Sequence, residues 1–463
     1  MKKRQAIGIS LAVIILLLTL IAPVPDGLTL EGRNTIGITL FFLILLVTEA
    51  LPIAVSSLIT IGLIPVFNVT ERFADAVVGF AHPVVFFIIA SFGIAGAITS
   101  VPLTKRVLAM LLKRAGGKIE GILLAMIIAT AGVSFFMSNV PTCVIMMSIA
   151  LEFINLLEDG EEKRSIGKTF MIAIPVATMI GGMATPASSS LNLLAIGLLE
   201  QYTGLTITFV QWMAVGVPLV IAFIPLSWYL MVKVYKPAQI SSEKINQYIE
   251  SIHTPNKMDR KEIFVLIILA AMLVLWIASS WIRSIEVFTV AILGCSLFFL
   301  PGINVLSWDN FAKSINWHII FLSGTVLSTA NALVENNVSS WLVETFYPAH
   351  LTFGVNMIVA LSAIVAFIML LMITSAPALI TVLAGPFAAI AISNGCSPAI
   401  LIMALAFCAC NCYLFPLDTV QLLTYGKGYY SMTDMGKSTI FLQIAMVIIL
   451  AFWLPFMAQA LQL

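Results

Sequence analysis

Val133-Ser134-Phe135-Phe136-Met137-Ser138-Asn139-Val140-Pro141-Thr142 interrupts an otherwise apolar stretch that runs from 119 to 157. A membrane-spanning helix needs roughly 20 apolar residues, so the stretch is about twice too long for one span, and the polar cluster sits at its middle. Backbone that leaves helical geometry in lipid strands its N–H and C=O groups. Such a break survives only where it is buried in protein or lines a cavity. The stretch therefore reads as a hairpin that enters and leaves on one side. A second hairpin, 353–393, breaks at Leu371-Met372-Ile373-Thr374-Ser375-Ala376-Pro377-Ala378. Two further segments, 168–200 and 397–426, carry Gly- and Pro-bearing breaks at Ile180-Gly181-Gly182-Met183-Ala184-Thr185-Pro186-Ala187-Ser188 and Leu414-Phe415-Pro416-Leu417-Asp418-Thr419-Val420-Gln421.

The composition around these breaks agrees. The chain is 60% hydrophobic and 10% charged, with a mean hydropathy of +1.08, where a soluble domain carries roughly 25% charged residues. It cannot cover its own surface in water, which excludes a soluble enzyme, a disordered scaffold or a nucleic-acid-binding module. Lys plus Arg (23) nearly equal Asp plus Glu (22), so net charge selects no partner. Single spans are expected at 6–23, 34–51, 51–67, 83–101, 211–232, 262–282, 285–301, 317–338 and 437–459. The first of these, after Met1-Lys2-Lys3-Arg4, reads as an uncleaved helix. With the two interrupted segments crossing once each, the chain crosses eleven times. Of the 23 Lys and Arg, all but Arg33, Arg72 and Arg283 then fall on the N-terminal side. That asymmetry makes the N-terminal side cytoplasmic and places the C-terminus outside.

The chain also resembles itself. Glu49-Ala-Leu-Pro-Ile-Ala-Val pairs with Glu286-Val-Phe-Thr-Val-Ala-Ile, Pro65-Val-Phe-Asn68 with Pro301-Gly-Ile-Asn304, Gly93 with Gly324, Ser138-Asn139 with Ser375-Ala376, and Thr185 with Thr419, at offsets of 231 to 237. Five crossings per repeat, an odd number, turn the second copy upside down. The organisation expected is an orphan helix (1–33), a first repeat (34–236, its scaffold helices at 34–118 and transport part at 119–236), a cytoplasmic linker (237–261), and a second repeat (262–463, scaffold 262–340, transport part 350–463). Inverted repeats with broken helices are the pattern of secondary transporters that bind at the midplane.

The breaks suggest a chemistry. Pro141 suits the first turn of a new helix, capped by Ser138 or Asn139. That arrangement puts N–H groups and the positive end of a helix dipole in mid-membrane, an anion site. Ser134 and Ser138, four apart, bring two hydroxyls toward the Asn139 amide, and oxygen donors of this kind suit a hard cation such as sodium. Asp418 is the acidic residue of the second site region. A carboxylate at membrane depth is a functional candidate; it would also serve as a cap for the helix after Pro416. No basic residue lies in any break.

On these motifs the chain resembles the divalent anion:sodium symporter family, which includes dicarboxylate and citrate transporters. Ser138-Asn139-Val140 keeps two residues of that family's Ser-Asn-Thr tip, and Ser375-Ala376-Pro377 keeps one. Ala184-Thr185-Pro186-Ala187-Ser188 resembles its Gly-Thr-Pro-Pro-Asn break. The resemblance implies a homodimer of elevator type, all-α and polytopic, with about eleven membrane helices, two re-entrant hairpins and two inverted repeats. It implies that a small anion, most simply a C4-dicarboxylate, meets Ser138, Asn139, Val140, Thr185, Pro186, Ser375, Ala376, Pro377 and Thr419. A first sodium would lie among Ser134, Ser138, Asn139 and the Ala184 carbonyl, and a second near Ser375 and Asp418. Against the family pattern, Ala376 and Leu371 stand where an amide and a hydroxyl are expected. Sodium symport, anion exchange and proton coupling through Asp418 are all open at this level, and sulfate is the alternative cargo.

Other classes fit less. His82, His253, His318 and His350 are isolated, with no intramembrane metal-ligand or base spacing, so no enzyme is expected. A channel needs a continuous polar path, and the polar residues cluster centrally instead. Cys408, Cys410 and Cys412 alternate and share no helix face; they read as packing residues. Partners beyond substrate and lipid, nucleic acid included, are not indicated.

Overall fold

The computed structural model describes residues 3–114, 118–240, 257–282, 284–338, 341, 345, 353–373 and 375–463. The middle of the expected linker with His253, and Arg283, His350 and Thr374, lie outside the described residues. Within them the chain is helical, with no strand.

After α1 (Lys3–Ile21), the first half holds α2 (Leu30–Thr48), α3 (Ile53–Val66), two short turns (Phe73–Ala76 and Val78–Ala81), α4 (Pro83–Thr99) and α5 (Leu103–Leu112). The first hairpin follows as α6 (Ile119–Ser134) and α7 (Asn139–Asn155), then a broken helix as α8 (Glu161–Gly181) and α9 (Ser190–Thr203), then α10 (Phe209–Tyr235). The second half repeats that order: α11 (Arg260–Ala278), α12 (Val287–Leu297), short α13 (Trp308–Ser314), α14 (Trp317–Glu335), the hairpin α15 (Val355–Met372) and α16 (Ala376–Ser393), the broken helix α17 (Pro398–Cys410) and α18 (Thr419–Tyr425), and α19 (Met432–Leu461).

Several helix contacts recur when the halves are exchanged, although those of α9 with α4 and α14 have no match of similar size at α18. α3 lies on α14, and its counterpart α12 lies on α4. Hairpin arms α6 and α7 pack on α8 as α15 and α16 pack on α17. The second piece of each broken helix crosses to the other half: α9 against α16 and α17, α18 against α7 and α8. Local backbone repeats too. Asn68 and Asn304, matched in the sequence, both take positive φ (53° and 43°), a conformation that asparagine tolerates better than most residues. Gly93 and Gly324 both sit at close approaches, where a Cβ would stand 2.3 Å from Cys295 Sγ and 2.5 Å from the Phe80 ring.

Among the described residues, seven helices (α2, α10, α11, α14, α15, α16 and α19) are long and apolar enough to cross a membrane by themselves. α1 from Gln5, α3, α6, α7, α12 and α17 are apolar but shorter. The arms of the second hairpin are 18 residues each. Whether they turn inside the bilayer or at its far face, the chain leaves on the side it entered, so the parity of the crossings is unchanged. The molecule is a multi-pass, all-helical membrane protein.

Hydropathy does not foretell α5. It is a ten-residue amphipathic helix that leaves α4 at 60° after Pro102, and its Arg106 reaches the start of α11. There the guanidinium donates to Glu262, which is 1% exposed, and to the Lys257 carbonyl at 2.8 Å. A buried carboxylate is tolerable only when paired in this way.

Candidate functional site

The first break is built by side chains that replace lost helix hydrogen bonds. α8 ends at Gly181-Gly182, whose lack of side chains lets α6 and α7 come close. A Cβ on Gly181 would meet the Ala131 carbonyl at 2.5 Å, and one on Gly182 the Asn139 Oδ1 at 2.6 Å. Thr185 then caps a 3-10 turn at Pro186–Ser188. Ser188 Oγ lies 2.7 Å from the Gly182 carbonyl and 2.6 Å from that of Thr185, and the Asn192 amide donates to the same two carbonyls at 2.8 and 2.9 Å. Buried carbonyls left bare would cost about 1–3 kcal/mol each; here each has donors. Trp212 of α10, fully buried, donates to the Met183 carbonyl at 3.1 Å.

The first hairpin tip is tied to this break. Thr185 Oγ1 donates to the Phe135 carbonyl at 3.0 Å, and Ser134 Oγ lies 2.9 Å from the Thr178 carbonyl and 3.3 Å from Asn139 Oδ1. Three oxygens of different origin, a hydroxyl, a side-chain amide and a backbone carbonyl, thus converge where Ser134 and Asn139 are 0% and 7% exposed. The Ala184 carbonyl lies on the other side of the break, toward Gly216 of α10, and no hydrogen bond joins the Ser138 side chain to the three. Thr178 was not foreseeable from residue type, because it contributes backbone. Asn192 carried a signal that could have been read: an amide one helical turn beyond Ser188, inside an apolar run.

The second tip and break differ. Ser375 precedes α16 as Ser138 precedes α7, but its neighbour is Ala376, and Leu371 of α15 is exposed. Among the described residues no hydrogen bond joins the second tip to the second break. That break is closed from within. The Gln421 amide donates to the Cys412 carbonyl and accepts from the Leu417 and Asp418 N–H groups at 3.1 and 3.3 Å. Asp418 accepts from the Val420 N–H at 3.0 Å and so caps α18, while Thr419 beside it is exposed. On the α19 side Thr439 donates to the Tyr413 carbonyl at 2.9 Å. The Gln443 amide, 4% exposed, has the weakly bonding Cys412 thiol as its neighbour and makes no stronger hydrogen bond among the described residues. Cys410 reaches back to Asn192 Oδ1 at 3.4 Å. No group of three or more His, Cys, Asp or Glu able to hold a metal occurs among the described residues.

One property is common to both tips. α7 and α16 each start after a serine, Ser138 and Ser375, whose side chain makes no capping hydrogen bond. By contrast α9 is capped by Ser189 and α18 by Asp418. No side-chain cap thus occupies the leading N–H groups of the two outgoing hairpin arms. Val140 at the first tip, where the related pattern has Thr, is 36% exposed.

The family described as sodium:sulfate symporter transmembrane region matches residues 3–459. The chain is 27% identical to the sodium-dependent dicarboxylate transporter SdcS of Staphylococcus saprophyticus, over 96% of this chain and 90% of the relative. It is 28% identical to SdcS of Staphylococcus aureus over the same shares. In fold it is similar to the YdaH transporter of Alcanivorax borkumensis (TM-score 0.59, 14% identity, 98% of each chain). MtrF of Neisseria gonorrhoeae, from a class of antimetabolite efflux pumps, gives a TM-score of 0.57 at 12% identity, over 97% of this chain and 94% of that one.

Proposed function

The chain belongs to the sodium:sulfate symporter family, and from that membership we propose that it is a secondary transporter that carries C4-dicarboxylates, coupled to sodium, across a cytoplasmic membrane. The observation that carries the reading is the pair of uncapped helix starts at Ser138 and Ser375. A dicarboxylate has two anionic ends, and two helix N-termini offer each end N–H donors and a favourable dipole without any buried lysine or arginine. Ser138, Asn139, Val140, Ser375, Ala376 and Pro377 line those starts; Thr185 and Pro186 flank the first, and Thr419 opens α18, which packs against α7 of the same hairpin. Sodium is taken as co-substrate at the first tip, by Ser134 Oγ, Asn139 Oδ1 and the Thr178 carbonyl, a set of hard oxygens. Its positive charge beside the start of α7 offsets part of the substrate's negative charge.

In this reading the N-terminus is cytoplasmic and the C-terminus external, the halves are inverted repeats, and the protein works as a dimer. The hairpins and broken helices move as one body past α2–α5 and α11–α14. Asp418, used as a cap, is not required to carry a proton.

The second tip favours a second reading, anion exchange. A dianion moved with a single sodium carries one net negative charge inward, against about 2.3 kcal/mol per 100 mV. Without an amide at Ala376 the second tip offers one fewer oxygen to a second cation. The deciding experiment is uptake of labelled succinate into proteoliposomes under an inward sodium gradient, under potassium, or against internal unlabelled succinate, with sulfate as competitor. The proposal expects sodium to drive uptake at least about tenfold over potassium. Uptake only against internal succinate makes the protein an exchanger; no succinate uptake in any arm, with sulfate transported, overturns the dicarboxylate assignment.

A further inference from the structure

Of the two histidines among the described residues, His318 is exposed and His82 lies at a seam between helices. His82 caps α4: its Nδ1 accepts the Val84 N–H at 3.3 Å. That bond fixes the tautomer, since the acceptor nitrogen has no proton and the other, Nε2, carries it. Nε2 points across to α9, where Glu200 Oε2 lies 3.6 Å away. Next to it on α9, the Gln201 amide donates to Asn331 Oδ1 of α14 at 2.6 Å. Gly197, one turn earlier, lets the backbone of α9 press into the groove; a Cβ there would stand 3.3 Å from Val84 and 3.2 Å from Leu327. Two polar contacts and a glycine approach therefore bridge one seam. On one side of it is α9, which packs with the hairpin arm α16 and with α17; on the other are α4 and α14, which pack with α12 and α3.

We propose that His82–Glu200 and Gln201–Asn331 form a proton-sensitive latch that holds α9 seated against α4 and α14, and that protonation of His82 releases it. The inference rests on the reading that α9 moves with the hairpins. The imidazole is 14% exposed, and α9 supplies part of its cover, with Gly197 beside Cε1. Burial pulls it below its ordinary value of 6.5, while Glu200 pulls weakly the other way. The start of α4 adds to the first effect, because a cation is unfavourable at a helix N-terminus. Glu200 is the charged group that acts on His82. On α14, Leu327 and Asn331 are neutral and Glu335 lies one turn further on, exposed. The turn Val78–Ala81 has no titratable side chain, and on the turn before it Arg72 is paired with Asp75 at 3.4 Å.

The sign follows. The seated state disfavours the proton, and release restores water around the ring and its ordinary affinity. The released conformers therefore bind more protons and gain population as the pH falls below the ordinary imidazole value. Above that value the ring is neutral in both states and the latch is at full strength.

The test places spin labels on Leu205→Cys and Val334→Cys, exposed sites on either side of the seam, and reads their separation by pulsed EPR in liposomes. In otherwise native protein the short-distance population should fall about threefold between roughly pH 7.5 and 5.5. His82→Asn, which keeps a capping oxygen for α4 but cannot titrate there, should remove the pH response. Glu200→Gln, which removes the charge that favours the protonated ring, should enlarge it. A response that survives His82→Asn unchanged, or none in native protein although sodium and succinate shift the distances, overturns the latch and leaves the transport reading standing. Distances that respond to neither pH, sodium nor succinate overturn the moving seam on which the latch depends.

Discussion

The two hairpin tips occupy equivalent places and share a serine before an open helix start, yet only the first is wired to its break. Ser134 and Thr185 connect tip one to α8 and the turn after it; Gly181 and Gly182 let them approach. At the second, Ala376 and Leu371 bring no donor, and Gln421 satisfies the break from inside. Duplicated architecture does not impose duplicated chemistry. In the proposed reading the shared serines keep what an anion needs, while the oxygens a cation needs are concentrated at the first tip.

That contrast can be broken at several strengths. The largest effect is expected from Gly182→Ala. Its methyl would stand 2.6 Å from Asn139 Oδ1 and must displace the amide, so the sodium concentration for half-maximal uptake should rise about tenfold. Protein yield and thermal midpoint, followed in parallel, separate this from misfolding. Next is Trp212→Phe, which takes the indole donor from the Met183 carbonyl. A loss of about 1–3 kcal/mol should lower the thermal midpoint in detergent. Thr439→Val, which bares the Tyr413 carbonyl at the matching place, should lower it less. The smallest change, of opposite sign, is expected from Gln443→Met. Removing a buried amide whose neighbour is only the weakly bonding Cys412 thiol should raise the midpoint, by roughly 1 kcal/mol. If it lowers both the midpoint and uptake, Gln443 is part of the machinery and the second break is less self-contained than described.

Much of this was legible in the sequence, for physical reasons. Apolar length shows spans, and polar, Gly or Pro clusters inside such lengths show breaks, because lipid tolerates no unpaired backbone. The Asn68 and Asn304 positions were visible as a repeat before their shared left-handed conformation was known. The difference between Asn139 and Ala376 could be read directly. What stayed hidden was contributed by backbone or by distant residues. The Thr178 carbonyl has no side-chain signature. Arg106 and Glu262 are 156 residues apart, and α5 is too short and amphipathic to register in hydropathy. For Asp418 the sequence allows both an intramembrane charge and a cap; in the structure it is a cap, and Gln421, three residues on, completes a capping box with it.

The central claim is that sodium acts through the first tip. Sodium activation of succinate uptake, compared between Asn139→Ala and Ser375→Ala in proteoliposomes, tests it most directly. The account predicts that Asn139→Ala weakens sodium activation by roughly ten- to a hundredfold, the value of one hydrogen-bonding ligand to a charge. It predicts that Ser375→Ala raises the succinate KM and leaves the sodium dependence close to that of the native protein. Equal loss of sodium activation in both variants, or loss in Ser375→Ala alone, would contradict it.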